Sequence, residues 1–205
     1  MTSWLHDQRL EAALAAVRAS GAGSVLDLGC GDGDLFLRLA QEAGIERLVG
    51  LDICVASLAR LRQRLDRRPP RVPLVELRHA SMTDADPRLA GFDCAVLVET
   101  IEHIAPGRLS QLERAVFGTM QPRTAIVTTP NAEFNPLLGV PPHRFRHPDH
   151  RFEWRRSQFR DWTSRVTAAW GYSAEVSDIA GLHPDHGGAS QMAVLRRRDR
   201  RTGAG

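Results

Sequence analysis

The sequence contains no lysine: all 27 of its basic residues are arginine. It has one tyrosine, and no apolar run approaches the roughly 18 residues of a membrane-spanning helix, so no membrane partner is expected. Its three cysteines, Cys30, Cys54 and Cys94, lie far apart with no C-x-x-C pair. That excludes a disulfide framework and a thiolate zinc site, and it fits a reducing cytoplasm. The first residues are too charged, and too short of an apolar block, for a signal peptide. What is present is ordinary for a soluble globular domain: 205 residues, 42% hydrophobic and 25% charged, with a formal net charge of +3. A chain of this length buries roughly 70% of its unfolded surface and needs no staples. A single domain is expected over residues 1–205, ending in a disordered basic tail from about residue 196.

Short apolar runs alternate with helical patterns, the signature of βαβ units on a mostly parallel sheet. Strands are expected at residues 24–28, 47–51, 74–79, 94–98 and 124–129, with two late ones at about 172–179 and 190–196. Helices are expected at 8–19, 34–43, about 56–66, 106–120 and 157–170. Residues 130–150 are rich in Pro, His and Arg and have no clear period, and a long irregular stretch of this kind is usually functional.

The first chemical signal is Asp27-Leu-Gly-Cys-Gly-Asp-Gly33, where a strand turns into a helix. Ligands of doubly wound sheets bind at the carboxyl ends of the strands, where glycines allow close approach to the backbone. The G-x-G-x-G spacing lacks the full dinucleotide fingerprint, and its acidic start fits a cationic ligand better than a pyrophosphate. Asp52 closes the second strand, where a carboxylate accepts bonds from ribose hydroxyls. The alternative is a tight turn plus an unrelated strand-end acid. The pair of features resembles the Rossmann-like, class I S-adenosylmethionine-dependent methyltransferases, whose sheet has seven mostly parallel strands with helices on both faces. That resemblance implies that Asp27, Gly29 and Gly31 shape the methionine pocket, that Asp52 holds the ribose, and that Ser81 and Met82 border the adenine.

The second signal is Glu99-Thr-Ile-Glu-His103 at the end of the fourth strand. Two carboxylates at this spacing share a face of a helical turn, and with an adjacent imidazole they are costly in one cleft unless a cation neutralises them. The plain alternative is a water-exposed helix start. The third is His143-Arg-Phe-Arg-His147-Pro-Asp-His150-Arg-Phe-Glu-Trp154. Its histidines alone are a poor zinc site, because no soft fourth ligand is near and Pro148 breaks any helix that would align them. Donating one histidine to the Glu99/Glu102/His103 group gives an O,O,N,N set with open positions, suited to Mg²⁺ or Mn²⁺ and a hydroxyl substrate. Phe152 and Trp154 fit either base stacking or core packing.

The E-x-x-E-H segment, Thr128-Thr-Pro-Asn-Ala-Glu-Phe-Asn135, Arg146-His-Pro-Asp-His-Arg-Phe-Glu-Trp154 and Trp170-Gly-Tyr172 together resemble the bacterial branch of the small-RNA 3′-terminal ribose 2′-O-methyltransferases of the HUA-ENHANCER type. The resemblance runs from about Arg9 to Ile179. It implies that Glu99, Glu102, His103 and His150 bind Mg²⁺ or Mn²⁺ and carry catalysis, with S-adenosylmethionine as cofactor. It further implies an RNA 3′ end with free 2′ and 3′ hydroxyls as substrate and an RNA end-healing or ligation partner. Ala80, Phe134 and Arg155 stand where glycine, tyrosine and threonine are usual, and none of them is a proposed ligand. Two other functions fit the residues: a metal-dependent small-molecule O-methyltransferase, and a non-catalytic RNA-binding module with a vestigial cofactor site.

Overall fold

The structure is a computed structural model that describes residues 4–198. Seven strands form one sheet: β1 (Ser24–Leu28), β2 (Arg47–Asp52), β3 (Leu74–His79), β4 (Cys94–Val98), β5 (Thr124–Pro130), β6 (Tyr172–Ile179) and β7 (Ser190–Arg197). Their order is β3-β2-β1-β4-β5-β7-β6, parallel from β3 to β5, with β7 antiparallel to both of its neighbours. The chain leaves β1 towards β2 and β3, then returns to lay β4 on the other side of β1. That reversal opens a crevice at the carboxyl ends of β1 and β4, the place where such sheets bind ligands.

The inner strands β1, β4 and β5 are apolar runs buried on both faces, whereas edge strand β3 turns Glu76 and Arg78 outward. Helices α1 (Trp4–Ser20), α2 (Phe36–Leu39) and α3 (Val55–Arg67) cover one face, and α4 (Leu109–Glu113) and α5 (Arg156–Trp170) the other. Leu10, Ala13, Leu14 and Val17 form the buried stripe of α1. Its first turns run on past the sheet towards the crevice: Gln8 accepts from the backbone of Gly181, and Arg9 reaches Glu99.

Three expectations are corrected. The helix at 34–43 is only α2 flanked by turns, because tight turns beside Gly33 and Gly44 cut it off at both ends. The single helix at 106–120 is a 3₁₀ turn at Pro106–Arg108, then α4, then a π-helix at Arg114–Met120. Gly118 lies under the indole of Trp170, where an added Cβ would sit 2.8 Å from the ring. Gln121 closes the wide turn with a bond to the carbonyl of Val116. Arg196 and Arg197, expected in the basic tail, belong to β7; residues 199–205 lie outside the described residues. No helix among the described residues is long and apolar enough to cross a membrane.

Candidate active site

Register places Asp27 beside Gly50 and Val96, at the floor of the crevice. Its side chain is buried and Oδ2 has no hydrogen-bond partner. Burial, with the charge of Asp52 as the lesser cause, raises the carboxyl to about 7. A buried carboxylate with one free oxygen is suited to a cationic group. Asp52 is shaped by the loop above it: the amide of Gly31 donates to Oδ2 at 2.8 Å and that of Cys54 to Oδ1 at 2.7 Å. Each oxygen keeps a second lone pair for a hydroxyl.

Gly29 and Gly31 differ in what their missing side chains leave room for. Both have left-handed φ, +83° and +52°. A Cβ on Gly29 would come within 2.6 Å of Thr100 and 3.0 Å of Met82, whereas one on Gly31 would meet nothing within 4 Å. So Gly29 lies close against Thr100 and Met82, and Gly31 faces open space. Met82 is thereby placed against the glycine loop, and Ser81 follows β3 next to Asp52, whose carbonyl accepts from the Ala80 amide. Ser81 also lines a cavity of about 200 Å³ with Leu51 and Ala80. A larger cavity of about 530 Å³, between Phe117, Trp170 and Arg197, is lined by none of these residues.

Beyond β4 the chain makes a 3₁₀ turn at Ile101–His103 rather than an exposed helix start. Glu102 is fully buried, with Oε2 accepting from Thr129 Oγ1 at 3.0 Å and Oε1 without a partner. Burial and then the nearby charge of Glu99 push its carboxyl well above the ordinary range. Ligand atoms of Glu102, His103 and His150 lie within 4.8 Å of one another. The imidazole centroids of His103 and His150 are 4.9 Å apart, and that of His147 is 5.9 Å from the former and 5.6 Å from the latter. Burial, ahead of the neighbouring imidazoles, lowers the pKa of His103 and favours its neutral form. A buried, half-unpaired carboxylate beside two imidazoles fits a divalent cation.

Glu99 is adjacent to this group but turned aside. Its Oε1 accepts from Thr128 at 3.0 Å, and its Oε2 lies 3.3 Å from Arg9 Nε and 3.4 Å from Ser190 Oγ. Its backbone is left-handed, φ +51°. The structure therefore brings three of the four expected ligands together and holds the fourth carboxylate beside them.

The irregular segment is built around His150. Glu153 accepts from His150 Nδ1 at 2.6 Å, from the Arg146 amide at 2.7 Å and from Asn135 Nδ2 at 2.7 Å. Burial alone would raise the Glu153 carboxyl, but these bonds bring it below the usual range. Arg146 is a brace: its guanidinium reaches Asn135, the carbonyl of Ala189 and the carbonyl of Asn131. Arg156 is likewise engaged, with Glu133. Phe152 packs on Trp154, and Trp154 on Phe159 and Trp162 against the core, with both Phe152 and Trp154 partly buried. Sequence reasoning missed Arg9, Glu153 and Ser190. Glu153 had a signal, its place three residues after His150; Ser190 had none.

The crevice, the acidic floor, the Gly31 opening and Asp52 define a Rossmann-like S-adenosylmethionine-dependent methyltransferase domain, and a family model described as "Methyltransferase domain" matches residues 25–123. Beyond that class, the chain belongs to the Hen1 family of small RNA 2′-O-methyltransferases. It is 35% identical to the methyltransferase domain of bacterial CtHen1, with a TM-score of 0.84, covering 94% of this chain and 98% of that one. It is 37% identical to a Small RNA 2′-O-methyltransferase of Gallus gallus, covering 93% of this chain and 53% of that protein. Small RNA methyltransferase HEN1 matches with a TM-score of 0.87 at 34% identity, over 95% of this chain and 26% of that one. The chain thus spans about half or less of the length of these longer relatives. A structure of the Pnkp1/Rnl/Hen1 RNA repair complex shares the fold, with a TM-score of 0.70 at 20% identity.

Proposed function

We propose that this chain, acting as a single catalytic domain, methylates the 2′-hydroxyl of the 3′-terminal nucleotide of RNA. The cation would be Mg²⁺ or Mn²⁺, held by Glu99, Glu102, His103 and His150. The observation that carries the reading is the buried, unpartnered Glu102 Oε1 grouped with His103 and His150 beside the cofactor crevice. The names of its relatives supply the substrate class.

When bound, S-adenosylmethionine supplies the electrophilic methyl group and a divalent ion lowers the pKa of a hydroxyl. The chain does the rest by positioning. Asp27 receives the cofactor's ammonium group, Asp52 its ribose hydroxyls, and Ser81 and Met82 border its adenine. Glu102, His103 and His150 would hold the cation, and Glu99 would complete the set. Both hydroxyls of a terminal ribose would converge there. Arg144, Arg151 and Arg155, exposed on the loop around His150, are free to meet phosphates, unlike Arg146 and Arg156. An RNA end-healing or ligation partner belongs to the same proposal; a chain of the Pnkp1/Rnl/Hen1 RNA repair complex has this fold. Three unpaired cysteines support a cytoplasmic setting.

The test is methyl incorporation into one RNA carrying four end chemistries, with and without chelator. Strong, chelator-sensitive methylation is expected only of the terminal diol, with none of the 2′-deoxy end and little of the 3′-phosphate or 3′-deoxy ends. Equal methylation of the 3′-phosphate end, or methyl groups at internal riboses, overturns the terminal-diol mechanism. Methylation of a small catechol but not of RNA moves the activity to the small-molecule class.

A further inference from the structure

Residues 141–145, on the loop that leads to His150, are all exposed. This turn is braced from behind. Arg144 closes it by donating from its amide to the carbonyl of Pro141 at 3.0 Å. Arg146 anchors its end through Asn135, Ala189 and the same Glu153 oxygen that His150 uses. Pro141 and Pro142 fix the backbone at its start. The tip is held outward, and it carries His143, Arg144 and Phe145. Of the seven phenylalanines Phe145 alone is exposed, at 48% of its surface; five are buried and Phe152 is partly covered by Trp154.

We propose that Arg144 and Phe145 form a subsite for the RNA nucleotides just 5′ of the reacting ribose: the ring stacks on a base and the guanidinium meets a phosphate. This rests on the RNA reading above. The surroundings favour RNA over a protein partner, because the exposed residues beside the ring in the turn, His143 and Arg144, are basic in type and suit a polyanion. A π-face accepts any base, so the subsite adds affinity for strand length without base preference. Its connection to His150 runs through a single carboxylate, so a nucleotide stacked here is tied to the geometry of the ligand group.

The experiment measures methyl transfer to a 12-nucleotide RNA by the parent chain and by F145A, F145W and R144A, all checked for unchanged circular dichroism. F145A is expected to raise KM about tenfold with kcat nearly unchanged, and F145W to restore it. R144A is expected to reduce the salt dependence of binding by about one counterion. RNAs made abasic at the second or third position from the 3′ end then test the stack itself. One of them should weaken the parent about as much as F145A does, and F145A should lose nothing further on it. RNA methylation with the same KM in F145A and the parent, or independent additive losses on both abasic RNAs, overturns this subsite alone. Absence of RNA methylation by the parent overturns the RNA reading and the subsite with it.

Discussion

The Nδ1–H of His150 donates to Glu153 at 2.6 Å, while Nε2 of the same ring lies 4.0 Å from Oε1 of Glu102. The carboxylate fixes the tautomer, so the nitrogen facing Glu102 carries the free lone pair. E153A is expected to lower Mn²⁺ affinity on the order of 10–100-fold, read by electron paramagnetic resonance of the free ion. E153Q, which keeps an acceptor, should fall between. Parental Mn²⁺ affinity in E153A would show that His150 needs no such orientation.

The Asp27 carboxyl, raised to about 7, binds a proton in the folded chain that an ordinary carboxyl has already released in the unfolded one. Ligand-free stability should therefore decline as pH rises from about 4 to about 7, and level off above. Binding of a cationic cofactor requires the ionised form. Calorimetric affinity for S-adenosylmethionine should rise with pH, by at most about tenfold per unit, and flatten above about 7. D27N should remove that slope; a parent affinity independent of pH between about 5.5 and 8 contradicts the assignment.

Gly31 and Gly29 differ in the room beside them, open at the first and filled at the second. G31A introduces a Cβ that meets no protein atom, so its cost in unfolding free energy should be about 1–2 kcal/mol, from the left-handed backbone alone. It should nonetheless weaken cofactor binding. G29A, whose Cβ would press on Thr100 and Met82, should be the less stable of the two in thermal unfolding. The reverse ranking would exchange their roles.

Glu102 sits where a carboxylate is costly to the fold, and the proposed cation site gives that cost a use. E102Q is expected to unfold, in chelator, at no lower a temperature than the parent, while losing methyl transfer by more than about 100-fold. Cofactor binding should persist. Parental activity in a folded E102Q would remove Glu102 from the ligand set.

The inner strands were readable because they are short apolar runs, as in Ser24–Leu28 and Cys94–Val98. Composition does not report helix type, so the π-turns before Gln121, where Gly118 lies against Trp170, were not readable. Candidate ligands stood out because carboxylates and histidines cluster at strand ends. What each one touches did not: Arg146 and Arg144 look alike in a sequence, yet one is tied into the interior and the other is exposed. The reach of α1 over the site is a tertiary fact, with Arg9 and Ser190 meeting at Glu99 from opposite ends of the chain.

Glu99 holds a left-handed backbone that glycine adopts freely and asparagine tolerates, and neither of those carries a carboxylate. Under the proposed cation site, backbone preference and catalysis pull this codon in opposite directions. Selection for backbone ease alone should drift towards glycine or asparagine here, at the expense of the contacts with Thr128, Arg9 and Ser190. Retention of glutamate at this one position would mark descendants that still have a reaction to perform, and its loss would date the point at which a lineage stopped.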